Sequence, residues 1–234
     1  AYNFVDRAET EEALAFAVNS EGPRNLARLA RARGIPFVHM STDCVFDGRK
    51  ASSYVEEDEA RPLSAYGRSK LAGEQAVAEE YPDALTARVA WVFSEYGDNF
   101  VSKMMEFAGK RPVLKVVNDQ IGPPTYAPDI AAALLRAAKE KAAGGDGLSG
   151  LLHVVSSDSL DRATMARAIM AESKRQGGPA ADIEGISTAE FAAAAARPLN
   201  AQLSNAKAVR RLGLTFTPFD EALRRSVAGI LARG

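Results

Sequence analysis

The sequence predicts an α/β protein: a parallel sheet doubly wound by helices, with a smaller, mainly helical lobe toward the C-terminus. Three observations carry this. Short apolar stretches rich in strand formers alternate with stretches of helical period from Glu9 to Val155, and such alternation implies right-handed crossovers and a parallel sheet. After Ser156 the strand-like stretches stop and helical periodicity takes over. The 234 residues, 47% hydrophobic and 25% charged, suffice for one large core or one core with an appended lobe.

Leu14, Val18, Leu26 and Leu29 fall at helical spacing between Glu9 and Arg33; "EGP" (Glu21 to Pro23) interrupts the run and Gly34 closes it. "IPFVHM" (Ile35 to Met40) reads as a buried strand, with Pro36 tolerable only near its start. A helix from Ser64 to Tyr81 follows, capped by Ser64, and then "ALTARVAWVF" (Ala84 to Phe93) as a strand. "NFVSKMMEFAGK" reads as a helix, "VLKVV" as a short strand and "NDQIGPPTYAP" as a loop. A helix from Asp129 to Lys141 and the strand "LLHVV" complete the alternation. In the lobe, "LDRATMARAIMAES" is helical and "GGPAAD" is a loop. The alanines Ala192 to Ala196 read as helix filler, and "PFDEALRRSVAGILAR" as an amphipathic helix with Pro218 in its first turn. The division expected is 1–93 with 126–155 as a dinucleotide-binding domain, and 94–125 with 156–234 as a substrate-binding lobe.

A formal net charge of -1, with basic residues dispersed along the chain, argues against nucleic acid or an anionic membrane as partner. The single cysteine, Cys44, forms no internal disulfide and fits a reducing compartment; two histidines without ligand spacing give no structural zinc site. No signal peptide or membrane-spanning run is evident, so a cytoplasmic protein is expected. The acidic run "EEDEA" (Glu56 to Ala60) reads as a solvated loop.

Chemistry gathers at two places. In "SAYGRSKLAGEQA", Tyr66 and Lys70 stand four residues apart and so share one helical face. A free phenol is a poor acid at neutral pH, and a fixed cation beside it would favour the phenolate and bring its pKa toward the working range. Taken alone, the spacing is a weak signal and fits an exposed amphipathic pair better. In "HMSTDCVFDG", polar residues spill from a strand end, where parallel α/β sheets bind ligands; Ser41, Thr42 and Asp43 occupy that position.

Together "STDCVFDG" and "YGRSKLAGE" resemble the extended short-chain dehydrogenase/reductase superfamily, with its Rossmann-like fold and its catalytic Ser/Thr, Tyr and Lys. Within it the chain resembles the dTDP-4-dehydrorhamnose reductase family, through "AYNFVDRAE", "AFAVNSEGPRNLARLA", "PLSAYGRSKLAGE", "RVAWVFSEYGDNFVSKMM", "VNDQIGPPTYAPDIA" and "ARPLNAQL". The resemblance implies reduction of the C4 keto group of dTDP-4-dehydro-6-deoxy-L-mannose by NADPH or NADH. It assigns Tyr66 as the acid, Lys70 as holder of the nicotinamide ribose and tuner of Tyr66, and Thr42 as hydrogen-bond donor to the reacting oxygen. Thr42, Asp43 and Trp91 would contact the sugar; Ala1, Tyr2, Asn3, Met40, Tyr66 and Lys70 would border the cofactor. Asn118, Asp119, Gln120 and Thr125 would approach the nucleotide-sugar or serve as a rigid loop, and Arg197 would meet the diphosphate or cap a helix. A Mg²⁺ reported for some relatives finds no carboxylate cluster here, and a homodimer is left open. Two other readings share the fold: a regulatory subunit resembling the β subunit of methionine adenosyltransferase, and another nucleotide-sugar reductase or epimerase. The Trp91 block favours an enzyme over the regulatory relatives.

Two departures stand out. Cys44 occupies a position usually aromatic in the family, where it reads as a small buried side chain. The opening strand and Gly-rich turn that hold a dinucleotide's pyrophosphate are not in the sequence given, which lacks about two βα units, roughly sixty residues, at its front. The chain as given is therefore expected to fold poorly by itself and to hold a dinucleotide weakly.

Overall fold

The computed structural model describes residues 1–144 and 149–233. A 3₁₀ turn, Arg7–Glu9, leads into α1 (Glu12–Phe16), a π-helical turn at Ala17–Glu21, and α2 (Gly22–Ala32). The break expected at Glu21 to Pro23 thus begins one turn upstream. Pro23 has no N–H for the Asn19 carbonyl, and the chain widens instead of forming that bond. β1 (Val38–Thr42) starts three residues beyond Ile35, because Pro36 offers no ladder donor, and it runs on to Thr42. A 3₁₀ turn, Asp43–Val45, follows. α3 (Ala65–Glu80) begins where Ser64 accepts the Gly67 N–H at 3.1 Å.

β2 (Leu85–Val89) is buried at all five positions. Trp91, in the left-handed region at φ 45°, ends it. The stretch from Ala84 to Phe93 is therefore two strands, since β3 (Val92–Phe93) belongs to another sheet. Next come α4 (Phe100–Ala108), β4 (Val113–Val117), β5 (Ile121–Gly122), β6 (Thr125–Tyr126), α5 (Ala127–Ala142) and β7 (Gly150–His153). The C-terminal part adds β8 (Leu160–Asp161), α6 (Arg162–Arg175), β9 (Asp182–Ile186), α7 (Thr188–Phe191), α8 (Ala206–Leu212) and α9 (Phe219–Leu231).

The main sheet has the order β1-β2-β7, all parallel, with Thr42 opposite Val89 and Arg88 opposite His153. Alternation along β2 sorts its two faces. Leu85, Ala87 and Val89 meet Ile130, Ala133 and Ala137 of α5 and Leu212 of α8 in one core. Arg88 points the other way, to Glu74 of α3, through hydrogen bonds of 2.8 and 2.6 Å, with both side chains less than a tenth exposed. A second core joins α4, α6 and α9 around Met165 and Ile169, with Phe93 and Tyr126 at its border to the sheet.

Four readings of the sequence need correction. "VLKVV" is not part of the main sheet: it is β4, paired in parallel with β9. The lobe thus contains strands, and "DIEGI" escaped notice because Asp, Glu and Gly are weak strand formers. The alanine run is not helical. α7 ends at Phe191, Ala192 adopts φ 48°, and Ala195 donates its N–H to Asp6 at 3.0 Å, so a tertiary contact overrides propensity. Nor is the acidic run simply solvated, since Glu56 accepts the His153 N–H at 2.9 Å and Glu57 and Asp58 pair with Lys207 and Lys50. Pro218 stands at the N-cap of α9 rather than inside its first turn. Among the described residues no helix is long and apolar enough to cross a membrane.

α3 lies against its neighbours at backbone contact. A Cβ on Gly73 would stand 2.1 Å from the Asn19 carbonyl oxygen, and one on Gly67 would stand 2.2 Å from that of Cys44. Gly73→Ala should therefore lower stability by about 1–3 kcal/mol, the usual cost of overpacking, although alanine is the better helix former by ~1 kcal/mol. A urea melt showing the variant as stable as wild type would refute this contact.

Candidate active site

The carboxyl end of β1 and the first turns of α3 bring the predicted groups together. Thr42, the last residue of β1, donates its hydroxyl to Asp43 Oδ1 at 2.9 Å and accepts the Cys44 N–H at 3.2 Å. Its hydroxyl also lies beside the Tyr66 phenol, where hydrogen bonding favours the phenolate. One turn along α3, the buried Lys70 donates Nζ to the Met40 carbonyl at 2.6 Å. Asn19 ties the front of the chain to this helix: it accepts the Tyr2 N–H at 2.8 Å and donates to the Tyr2 carbonyl and to Ser69 Oγ at 3.0 Å each. Glu9 accepts the Ala65 N–H at the helix start.

Burial dominates the electrostatics. It raises the Tyr66 pKa above the ordinary phenol value, helped by the neighbouring Cys44 sulfur and Asp43 carboxylate and opposed by Thr42. Lys70 is not among the groups acting on Tyr66. The expectation that its ammonium drives the phenolate is therefore not met: Nζ turns to Met40 O, and Tyr66 stands as a firmly protonated phenol. Lys70 is itself lowered by burial, against the charge of Glu74. Burial likewise raises Asp43, which Thr42 and Arg162 partly offset. Cys44 is pushed up to about 12 by burial and by Asp43, so it is a thiol rather than a nucleophile. His39, beneath Lys70, falls to about 4 through burial and the Lys70 charge. It is a neutral packing residue.

Trp91, in its left-handed conformation, packs on the cluster of Val45 and Phe46 that follows Asp43 and Cys44. Its carbonyl accepts the Thr125 N–H at 3.2 Å, and its indole lies on Gly122, where a Cβ would approach to 2.5 Å. Arg162, the first residue of α6, lies over the indole with Cζ 3.5 Å from the ring centroid. The other expected residues divide. Tyr2 is buried and Ala1 and Asn3 are exposed beside it, while Met40 offers its carbonyl inward and its side chain outward. Asp119 accepts the Thr188 N–H, Gln120 donates to Thr188 Oγ1, and Thr125 bonds Pro123 O. Asn118 packs on Gly185. All four are thus engaged by contacts within the protein. Arg197 forms a two-pronged pair with Asp6 at 2.7 and 3.0 Å, so it neither caps a helix nor faces a ligand alone.

Sequence reasoning missed Arg162 and Asn19. "LDRAT" carries a helix-start signal, Asp161 capping Thr164, but nothing local says that the next side chain crosses to Trp91. Asn19 betrays itself only by being polar inside an apolar run.

Residues 1–231 match the family model of the RmlD substrate binding domain. A dTDP-4-dehydrorhamnose reductase of Sinorhizobium fredii is 40% identical over 235 residues, covering all of this chain and 79% of that one. The protein of the same name from Mycobacterium tuberculosis is 39% identical over 210 residues, 88% of this chain and 66% of its own. Among solved structures, dTDP-4-dehydrorhamnose reductase from Bacillus anthracis, in complex with NADP, has a TM-score of 0.87 at 32% identity, covering 100% of this chain and 78% of that one. An ortholog from Clostridium acetobutylicum has a TM-score of 0.90 at 32% identity, covering 100% and 79%.

The sole cysteine gives a clean test of the site's dielectric. With its pKa near 12, Cys44 in the folded protein at pH 8 should react with an aromatic disulfide reagent at least ~100-fold more slowly than in urea. Cys44 is partly exposed, so equal rates in the two states would mean that its surroundings do not raise its pKa as described.

Proposed function

The chain belongs to the RmlD family of dTDP-4-dehydrorhamnose reductases, and on that premise we propose that it reduces the C4 keto group of dTDP-4-dehydro-6-deoxy-L-mannose to give dTDP-L-rhamnose. The observation that supports this best is the Tyr66 phenol beside the Thr42 hydroxyl at the end of β1, with the buried Lys70 ammonium one turn on. In this reading 1–93 with 126–155 form the dinucleotide-binding half, and 94–125 with 156–234 the lobe that takes the sugar.

Reducing a ketone requires hydride at carbon and a proton at oxygen. NADPH or NADH supplies the hydride when bound. The donor set at α3 suits the ribose end of such a cofactor: an ammonium has three N–H donors, and Met40 O occupies one on Lys70. Ala1, Tyr2, Asn3 and Met40 border the same side of the crevice. Thr42 hydrogen-bonds the substrate oxygen, and Asp43 and Trp91 bound the sugar. Tyr66 delivers the proton. Its raised pKa keeps the phenol protonated at neutral pH, and the proton moves downhill once the oxygen becomes alkoxide-like. Thr42 has one hydroxyl proton, given to Asp43 in the free site, and turns it to the substrate oxygen in the reaction.

The test follows nicotinamide absorbance with the dTDP-keto sugar as substrate. Tyr66→Phe removes the proton and leaves the ring, and it should reduce kcat by about 10²- to 10⁴-fold with substrate KM little changed. Undiminished turnover would end the assignment of Tyr66 as the acid.

A further inference from the structure

Arg162 is a cation without an anion. Its guanidinium is held between two rings, with Cζ 3.5 Å from the Trp91 centroid and 4.9 Å from that of Phe100, and its own backbone N–H is tied to Gln120 O at 3.2 Å. Among the described residues its side chain makes no hydrogen bond and no ion pair, and its nitrogens keep some access to solvent. Arg88 and Arg197, by contrast, are each clasped in two-pronged fashion by a carboxylate.

The guanidinium stays charged at neutral pH, because burial lowers its pKa only to about 10 while Asp43 supports the charge. Arg197 opposes it, and Asp6 neutralises Arg197, so Arg162 is the uncompensated charge of the pair. Half-buried guanidinium donors that are stacked on two rings and have no protein acceptor are open to an anionic partner. On the reading of the site as one for a dTDP-sugar, thymine and the keto sugar are neutral and the diphosphate carries the charge. A planar guanidinium matches phosphate oxygens in bidentate fashion, and stacking on aromatic rings fixes it in advance.

We propose that Arg162, laid on Trp91 and Phe100, is the residue that binds the diphosphate of the nucleotide-sugar, a role that Arg197 cannot take while it is paired with Asp6. Trp91 then acts as the platform beneath Arg162 on that face, and the substrate meets the guanidinium edge.

Trp91 is the only tryptophan, so its fluorescence reports on ligands arriving at Arg162. Titrating the 234-residue chain with dTDP and with thymidine, by fluorescence and calorimetry, separates the diphosphate from the nucleoside. Arg162→Met, which keeps the stacked bulk, should weaken dTDP by ~10- to 100-fold and leave thymidine unchanged. Arg162→Lys should recover part of the loss. Wild-type affinity for dTDP in both variants overturns the inference and leaves the reductase reading standing; equal loss of dTDP and thymidine also overturns it, since that marks a structural role. A wild-type chain that binds neither compound while its circular dichroism shows it folded overturns both readings. Circular dichroism of each variant confirms that the fold is kept, and Arg162→Lys alone carries the test if the methionine variant does not fold.

Discussion

The structure depends on how closely α3 lies on its neighbours. Gly67 lets the first turn of the helix rest on the Cys44 carbonyl, and Gly73 receives the Asn19 carbonyl from the widened turn between α1 and α2. The Glu74–Arg88 pair then fastens the helix to β2. Breaking such a pair by removing one partner costs about 3–5 kcal/mol, because a buried charge is left alone. With the helix fixed at three levels, Tyr66 and Lys70 have little freedom at the end of β1. The chemistry is thus set by backbone contact, not by the two side chains.

That placement withdraws the site in part from water, with Thr42, Asp43 and Lys70 buried, and the withdrawal explains its titration behaviour. Tyr66, Asp43 and Cys44 are all raised, each with burial as the largest cause, and Lys70 and Arg162 are lowered for the same reason. A low dielectric strengthens every interaction that remains. A neutral acid, a hydroxyl beside it and a cation held in reserve are an arrangement matched to charge that develops only during reaction.

Local chemistry was legible in the sequence wherever the determinant was local. Ser64 caps α3 as its position suggests, and Thr42 lies at the strand end because the apolar stretch runs out there. Reading failed where distant residues decide. Trp91 looks like one more residue of a strand until β6 is seen to draw Val92 and Phe93 away. "DIEGI" becomes a strand because β4 offers it an edge, and the alanines leave the helix because Asp6 claims Ala195. The sense of the Tyr66 shift was misjudged for a related reason: spacing puts Lys70 on the same face, but the Met40 carbonyl decides where its ammonium goes. The family resemblance supplied the roles, and the structure supplied the neighbours.

The kink at Trp91 joins the two cores. Its left-handed backbone sends one strand into the main sheet and the next into the pairing with β6, while its indole touches both hydrophobic clusters. A residue in such a conformation persists only where its surroundings over-determine it. The residue at which the chain leaves the main sheet is thus also the one that carries the stacked guanidinium, so strand pairing and the placement of that charge hang on a single backbone turn.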